Sequence, residues 1–166
     1  VLHTRGGFTP QDQAYAAWLA TQGYVTLAPN YFTPLGLAPS PLPSRGGESI
    51  IATHTDPIRD DLVRGLDCLK SLPFVAQDRI GVVGFSLGGY FAVVLAARPD
   101  VKGIVAYYAP YIGSPVSNAP TLYTFADLAA RVGAPVLMLH GDADTEAPIA
   151  NARTAQSVLN SSGKQA

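Results

Sequence analysis

The feature that most restricts this chain is an alternation of short apolar runs with segments of helical spacing. Arg79-Ile80-Gly81-Val82-Val83, Val101 to Tyr107 and Pro135 to Leu139 are nearly unbroken apolar runs, the pattern of strands buried on both faces of a parallel sheet. Val1 to His3 reads as the end of a further strand, and Tyr24 to Ala28, stopped by Pro29, as another. Thr9-Pro10 reads as an N-cap followed by proline at the first helical position. The helix it opens runs to about Gln22, with Ala14, Trp18 and Leu19 on one face and Gly23 at its end. Asp56-Pro57 opens a second helix with Asp60 and Asp61 in its first turn and Ile58, Leu62, Leu66 and Leu69 as its buried stripe. Cys68 lies off that stripe and reads as a small packed thiol. Leu87 to Arg98, residues near 124 to 131 and residues 148 to 160 supply further helices. Strands alternating with helices imply crossover connections and a three-layer α/β/α arrangement, a mostly parallel sheet with helices on both faces.

Residues 29 to 55 interrupt the pattern. Pro29, Pro34, Pro39, Pro41 and Pro43 with Gly36, Gly46 and Gly47 are too many breakers for a long regular element. The stretch reads as a long Pro/Gly-rich surface loop, of a length that suits a substrate-lining excursion or a merely variable one.

Composition narrows the function classes. The 166 residues, 48% hydrophobic and 14% charged, suit a single domain with a sizeable core. The net charge of -1 and the lack of a basic block argue against nucleic acid as a partner. No apolar run of about 18 residues offers a bilayer span, and Cys68 has no second cysteine to pair with. The chain reads as soluble, with a cytoplasmic setting favoured and the compartment otherwise open. The carboxylates lack convergent histidines, so no metal and no cofactor are expected.

The chemistry concentrates in Gly84-Phe85-Ser86-Leu87-Gly88-Gly89, a GxSxG sequence between an apolar strand and an apolar helix. A strand-to-helix turn tight enough to expose a serine oxygen strains the serine backbone, and small neighbours let the chain cross itself. Ser86 is therefore the candidate nucleophile, at a helix N-terminus where a developing oxyanion is favoured. The backbone N–H of Leu87 is one candidate oxyanion donor. The loop His3-Thr4-Arg5-Gly6-Gly7 stands where a second should come from and is similar to an HGGG-type loop, departing from it at Thr4 and Arg5. Arg5 is the candidate for that donor through its backbone N–H; its guanidinium could meet a substrate carboxylate or simply be solvated. His3 reads as a residue that orders this loop. The strand ending at Leu139 leads into His140-Gly141-Asp142-Ala143-Asp144-Thr145-Glu146. Asp142 and Asp144 are both placed to orient a histidine base, whereas Glu146 reads as solvated or as an N-terminal helix charge and His140 as a residue packed or hydrogen-bonded at the strand end.

With these segments in place the sequence resembles the α/β-hydrolases and, within that fold, the dienelactone hydrolase family and its serine-containing relatives. The resemblance covers nearly the whole chain. It rests on the loop after Leu2, on QGYVTLAPNYF, on DRIGVVGFSLGG, on IVAYYAP and on APVLMLHGDAD. Gly141, Asp144 and Pro148 match the family's GxxDxxxP stretch, which favours Asp144 as the acid. The family's dienelactone hydrolases carry cysteine where this chain has Ser86, so the resemblance implies a carboxylic ester or lactone as the small-molecule substrate rather than a dienelactone in particular. The resemblance also implies the order serine, acid, histidine along the chain, and no histidine follows Asp144. The reading is thus of a partial domain, truncated at both ends, whose base lies on a further strand and loop. His54, on the proline-rich loop, is not expected to replace it. The expected function is serine-dependent cleavage of esters or lactones through an acyl-enzyme. The alternative is a non-catalytic hydrolase-like binding domain with an incomplete triad.

Overall fold

The computed structural model describes residues 1–37, 45–110, 124, 127 and 130–166, with residues 45–52 described by their backbone. Its regular elements are α1 (Pro10–Thr21), a 3-10 turn (Thr33–Leu35), α2 (Arg45–Ser71), β1 (Ile80–Phe85), α3 (Leu87–Leu95), β2 (Val101–Tyr107), β3 (Val136–Leu139) and α4 (Ile149–Ser161). The strands form a parallel sheet in the order β1-β2-β3. Phe85 pairs with Tyr107, and Tyr107 with Leu139, so the three strands end in one row. On the far side of β1, Leu2 forms a parallel bridge to Gly84, through Leu2 N–H to the Val83 carbonyl at 2.8 Å and Phe85 N–H to the Leu2 carbonyl at 3.1 Å.

The pleat explains the layers. Val82, Ile104, Ala106 and Val136 project to one face and share a core with Ile58 and Leu62 of α2, Phe91 and Leu95 of α3, and Ala155 and Leu159 of α4. Phe85 projects to the other face, where Tyr15 of α1 meets it edge-on at 5.1 Å. Helices therefore lie on both faces, as the alternation predicts. All nine residues of α3 are buried, which explains why a helix apolar all round can exist here. Where the α3–β2 turn meets the end of α2, Asp100 accepts from Arg98 and from Lys70, each at 2.7 Å, and Arg98 also reaches Asp67 at 3.0 Å. The Arg98 hydrogen bonds, aided by Lys70, hold the Asp100 carboxyl well below the usual carboxylate range.

Four local expectations are corrected. The proline-rich stretch is not loop as far as residue 55, because α2 begins at Arg45. Gly46 and Gly47 occupy its first turn, where few intrahelical bonds are at stake, and Pro57 lies inside the helix rather than opening it. Residues 38–44 of that stretch, and most of the helix expected near 124–131, fall outside the described residues. Tyr24 to Ala28 forms no ladder. It borders an open apolar groove of about 960 Å³ lined by Trp18, Leu19, Leu27, Val83 and Leu137 among others, so Tyr24 and Val25 are exposed. Ala14 and Trp18 do not face a core either: Ala14 is exposed, Trp18 borders the same groove and is 54% exposed, and the buried residues of α1 are Asp12 and Ala16. Asp12 is buried because Thr9 N–H and Thr9 Oγ1 both donate to its Oδ2, at 2.8 and 2.7 Å, at the positive end of the helix. Cys68 is exposed rather than packed.

His3 is fully buried, stacked on Tyr31 with ring centroids 3.8 Å apart. Its Nδ1 pairs with the Thr4 carbonyl at 2.6 Å, while Nε2 has no partner among the described residues. Burial lowers its pKa below the ordinary value. An unfolded chain takes up this proton near pH 6.5 and the folded chain resists it. The stability contribution is therefore complete above that pH and is lost as the pH falls through the folded-state pKa. Thermal unfolding followed by circular dichroism should show Tm falling between pH 7.5 and 5.5, by about 2–4 °C for each 1 kcal/mol involved, and His3→Gln should flatten this decline.

Candidate active site

Ser86 stands between the last residue of β1 and the first of α3 with φ 51 and ψ −117, a left-handed backbone that costs a non-glycine residue of order 1 kcal/mol or more. Two features force it there. Ser86 N–H donates to the Tyr107 carbonyl at 2.9 Å, which holds it in line with β2, and its own carbonyl accepts from Tyr90 N–H at 3.1 Å to start the helix. The turn closes only because both flanking glycines lack a Cβ. One on Gly84 would fall onto the Gly88 carbonyl, and one on Gly88 onto the Leu2 and His3 carbonyls.

That same closeness lays the loop after Leu2 over the first turn of α3. Within the loop Gly6 N–H donates to Thr4 Oγ1 at 3.0 Å and Gly7 N–H to the Thr4 carbonyl at 3.1 Å. The backbone N–H groups of Arg5 and Leu87 have no partner among the described residues. The His3 carbonyl accepts from the buried Tyr31 hydroxyl at 2.5 Å, which pins the start of the loop. The Arg5 side chain is only 15% exposed, and its guanidinium lies 4.0 Å from Glu146, itself 59% exposed. The Arg5 guanidinium is thus not tightly paired, and it reaches from this loop toward the loop beyond β3.

In the acid loop, Asp144 Oδ1 accepts from Glu146 N–H at 2.9 Å and from Ala147 N–H at 2.8 Å. Its Oδ2 lies 3.7 Å from His140 Nε2. His140 is bonded through that Nε2 to the Ala147 carbonyl, the strand-end role expected of it. Asp142 is exposed and has no partner among the described residues. Ser86 Oγ has no hydrogen-bond partner among them either. His54, now inside α2, has Nδ1 at 2.6 Å from Thr53 Oγ1. The three imidazoles are thus occupied or buried elsewhere, and none pairs with Ser86. Among the described residues no group of three or more metal-ligating side chains converges, and no helix is long and apolar enough to cross a membrane.

One residue at this edge carries no sequence-level assignment. Tyr108, directly after the last residue of β2, is the other described non-glycine residue with a left-handed backbone, φ 38. Its sole advance signal is position, one residue past the strand pair Phe85 and Tyr107. Beneath the row, Phe85 stacks on Tyr107 at 4.9 Å. Burial and a hydrogen bond with Tyr107 push the Tyr15 phenol up to about 12.

A parallel sheet with α3 launched from a strained serine at its carboxyl edge defines an α/β-hydrolase fold, and solved structures agree. The chain overlays a dienelactone hydrolase-like promiscuous phosphotriesterase from metagenomic libraries with a TM-score of 0.74 at 18% identity, covering 98% of this chain and 64% of that one. It overlays the acylaminoacyl peptidase of Pyrococcus horikoshii with a TM-score of 0.73 at 19% identity, covering 99% and 30%. Residues 1–166 match the dienelactone hydrolase family, and the chain belongs to it. It is 31% identical over 116 residues to the carboxymethylenebutenolidase of Rhodococcus opacus, covering 69% of this chain and 44% of that protein. The chain spans about half the length of the curated carboxymethylenebutenolidases it matches.

The crossing makes a test of the fold's tightest point. Gly88→Ala should destabilise the protein by about 2–3 kcal/mol, since two backbone carbonyls must retreat. Gly103→Ala, whose added Cβ meets nothing within 4 Å, should change stability by less than about 0.5 kcal/mol. Urea denaturation of both variants checks the contrast.

Proposed function

We propose that this chain carries the nucleophile, the acid and the oxyanion donors of a serine hydrolase that cleaves carboxylic esters or lactones through an acyl-enzyme. Ser86 Oγ attacks the carbonyl carbon as a histidine base takes its proton. The carbonyl oxygen, now anionic, is received by the backbone N–H groups of Leu87 and Arg5. The intermediate collapses, the alcohol leaves with the proton, and water repeats the sequence to free the acid and restore Ser86. Asp144 orients the histidine and stabilises its charged form. None of His3, His54 and His140 pairs with Ser86, so none of them is assigned as that base.

The observation that supports this reading is the strained Ser86 at the start of α3, with the Leu87 and Arg5 backbone N–H groups unpaired among the described residues. A serine held at φ 51 without helping to cap its helix is explained by the need to present its oxygen. Asp144 is favoured over Asp142 because two backbone N–H groups fix one of its oxygens and leave the other available. A carboxylate so held keeps its aim.

The competing reading, a hydrolase-like binding domain without catalysis, draws on the absence of any imidazole against Ser86 among the described residues. Hydrolysis of p-nitrophenyl esters by the full protein separates the two. Ser86→Ala should abolish turnover, and Asp144→Asn should lower kcat by about 10²–10⁴-fold, with Asp142→Asn within a few-fold of the parent. Turnover that survives Ser86→Ala would sink the nucleophile assignment. The 166-residue chain alone should show no burst of p-nitrophenol at the rate of the full protein, because Ser86 there has no general base. A burst at the full rate would return one of the three histidines to that role.

A further inference from the structure

Tyr108 occupies a position where its residue type is costly. Its left-handed backbone is imposed from both sides. Tyr108 N–H donates to the Leu139 carbonyl at 2.7 Å, and the next residue, Ala109, is buried with its Cβ against Gly89 in the first turn of α3. The chain must therefore turn sharply between β2 and α3. Glycine or asparagine would make that turn at little cost, whereas a tyrosine at φ 38 stores about 1–3 kcal/mol of strain. The ring repays little by burial, being 37% exposed, with its centroid 6.4 Å from that of Phe85. Its hydroxyl has no hydrogen-bond partner among the described residues. Burial, with the negative charges of Asp12 and Asp144, pushes that phenol above its ordinary pKa, so it is a hydrogen-bond donor throughout the working pH range.

The direction follows from the row of strand ends. The strand of Leu2 lies on one side of β1 and β2 on the other. The Arg5 N–H is on the Leu2 side of Ser86. Tyr108 is on the opposite side, between Ser86 and the Asp144 loop. A carbonyl oxygen held toward Arg5 and Leu87 leaves the side of β2 and β3 to the other substituents of the carbonyl carbon, and that side is assigned to the alkoxy group.

We propose that Tyr108 is a specificity-determining residue of this site, its phenol donating a hydrogen bond to an oxygen atom in the alcohol part of the ester, close to the scissile bond. The preferred substrates are then esters or lactones whose alcohol part carries an ether, hydroxyl or carboxylate oxygen, in preference to plain alkyl esters. This rests on Ser86 being the nucleophile, with the oxyanion donors as assigned above.

The test is a ratio. In the full protein, kcat/KM is measured for 2-methoxyethyl acetate and for butyl acetate, which share an acyl group and differ by one oxygen in the alcohol. Tyr108→Phe keeps the ring and the backbone strain and removes only the hydroxyl. It is expected to lower the methoxyethyl-to-butyl ratio about three- to tenfold, the worth of one neutral hydrogen bond. Tyr108→Asn should lose the same preference while its Tm equals or exceeds the parent's. A merely structural role would move both esters together, so an unchanged ratio in Tyr108→Phe overturns the proposal. Ester cleavage that Ser86→Ala leaves intact overturns the nucleophile reading and this proposal together. Cleavage abolished by Ser86→Ala with the Tyr108→Phe ratio unchanged overturns this proposal alone.

Discussion

Three stretches of backbone meet within contact distance at the end of β1, and the rest of the structure depends on that meeting. Gly84, Gly88 and the Leu2-His3 carbonyls crowd one another so closely that no Cβ fits between them. Because they touch, the Leu2 strand is held beside β1, α3 leaves the sheet at the angle that buries all of its residues, and Ser86 is forced into its left-handed backbone. Packing this close is worth little as dispersion energy at each atom pair. Its effect is geometric, since it leaves the chain a single way to pass from strand to helix. The Tyr31 hydroxyl on the His3 carbonyl and the buried His3 ring then extend that rigidity into the loop above.

The electrostatics of the site follow from the same geometry. Parallel strands all point their carboxyl ends at one edge, and the helix that follows presents its positive N-terminus there. On the proposed reading, an anion on a carbonyl at Ser86 would meet dipoles already in place, so little reorganisation would accompany the charge. At the far end of the row Asp144 has one oxygen held by two N–H groups of its own loop. The Arg5–Glu146 contact at 4.0 Å spans the two ends. With one partner well exposed, such a pair is worth well under 1 kcal/mol, so it guides the loops more than it binds them.

What was legible in the sequence was whatever depends on local pattern. The strands β1, β2 and β3 are visible as apolar runs, but the expected burial on both faces is corrected: only alternate residues are fully buried, and the other face borders the open groove. The nucleophile turn is visible because only glycine satisfies its contacts. The start of α2 at Arg45 was hidden, since Gly46, Gly47 and Pro57 read as breakers while their cost depends on where in the helix they fall. Trp18 and the Tyr24 to Ala28 segment were misread for a different reason. Their apolar character suits a buried face, yet in these 166 residues they line an open groove. Asp12 carries no reading from the sequence, because its burial follows from its capping bonds to Thr9. Tyr108 was invisible because strain arises from packing between β2, β3 and α3, which no window of sequence contains.

The placement of left-handed residues separates two uses of backbone strain in this fold. At Gly23 and Gly36 the chain turns with φ of 91 and 64, and glycine makes the turn without penalty. At Ser86 and Tyr108 it turns with φ of 51 and 38, and glycine is absent. Both positions follow paired strand residues in the same row, Phe85 and Tyr107. A turn that served only to reverse the chain would be cheaper with glycine. A strained turn that keeps a hydroxyl-bearing side chain retains it for that side chain, and the same accounting that makes Ser86 the nucleophile candidate applies one strand over.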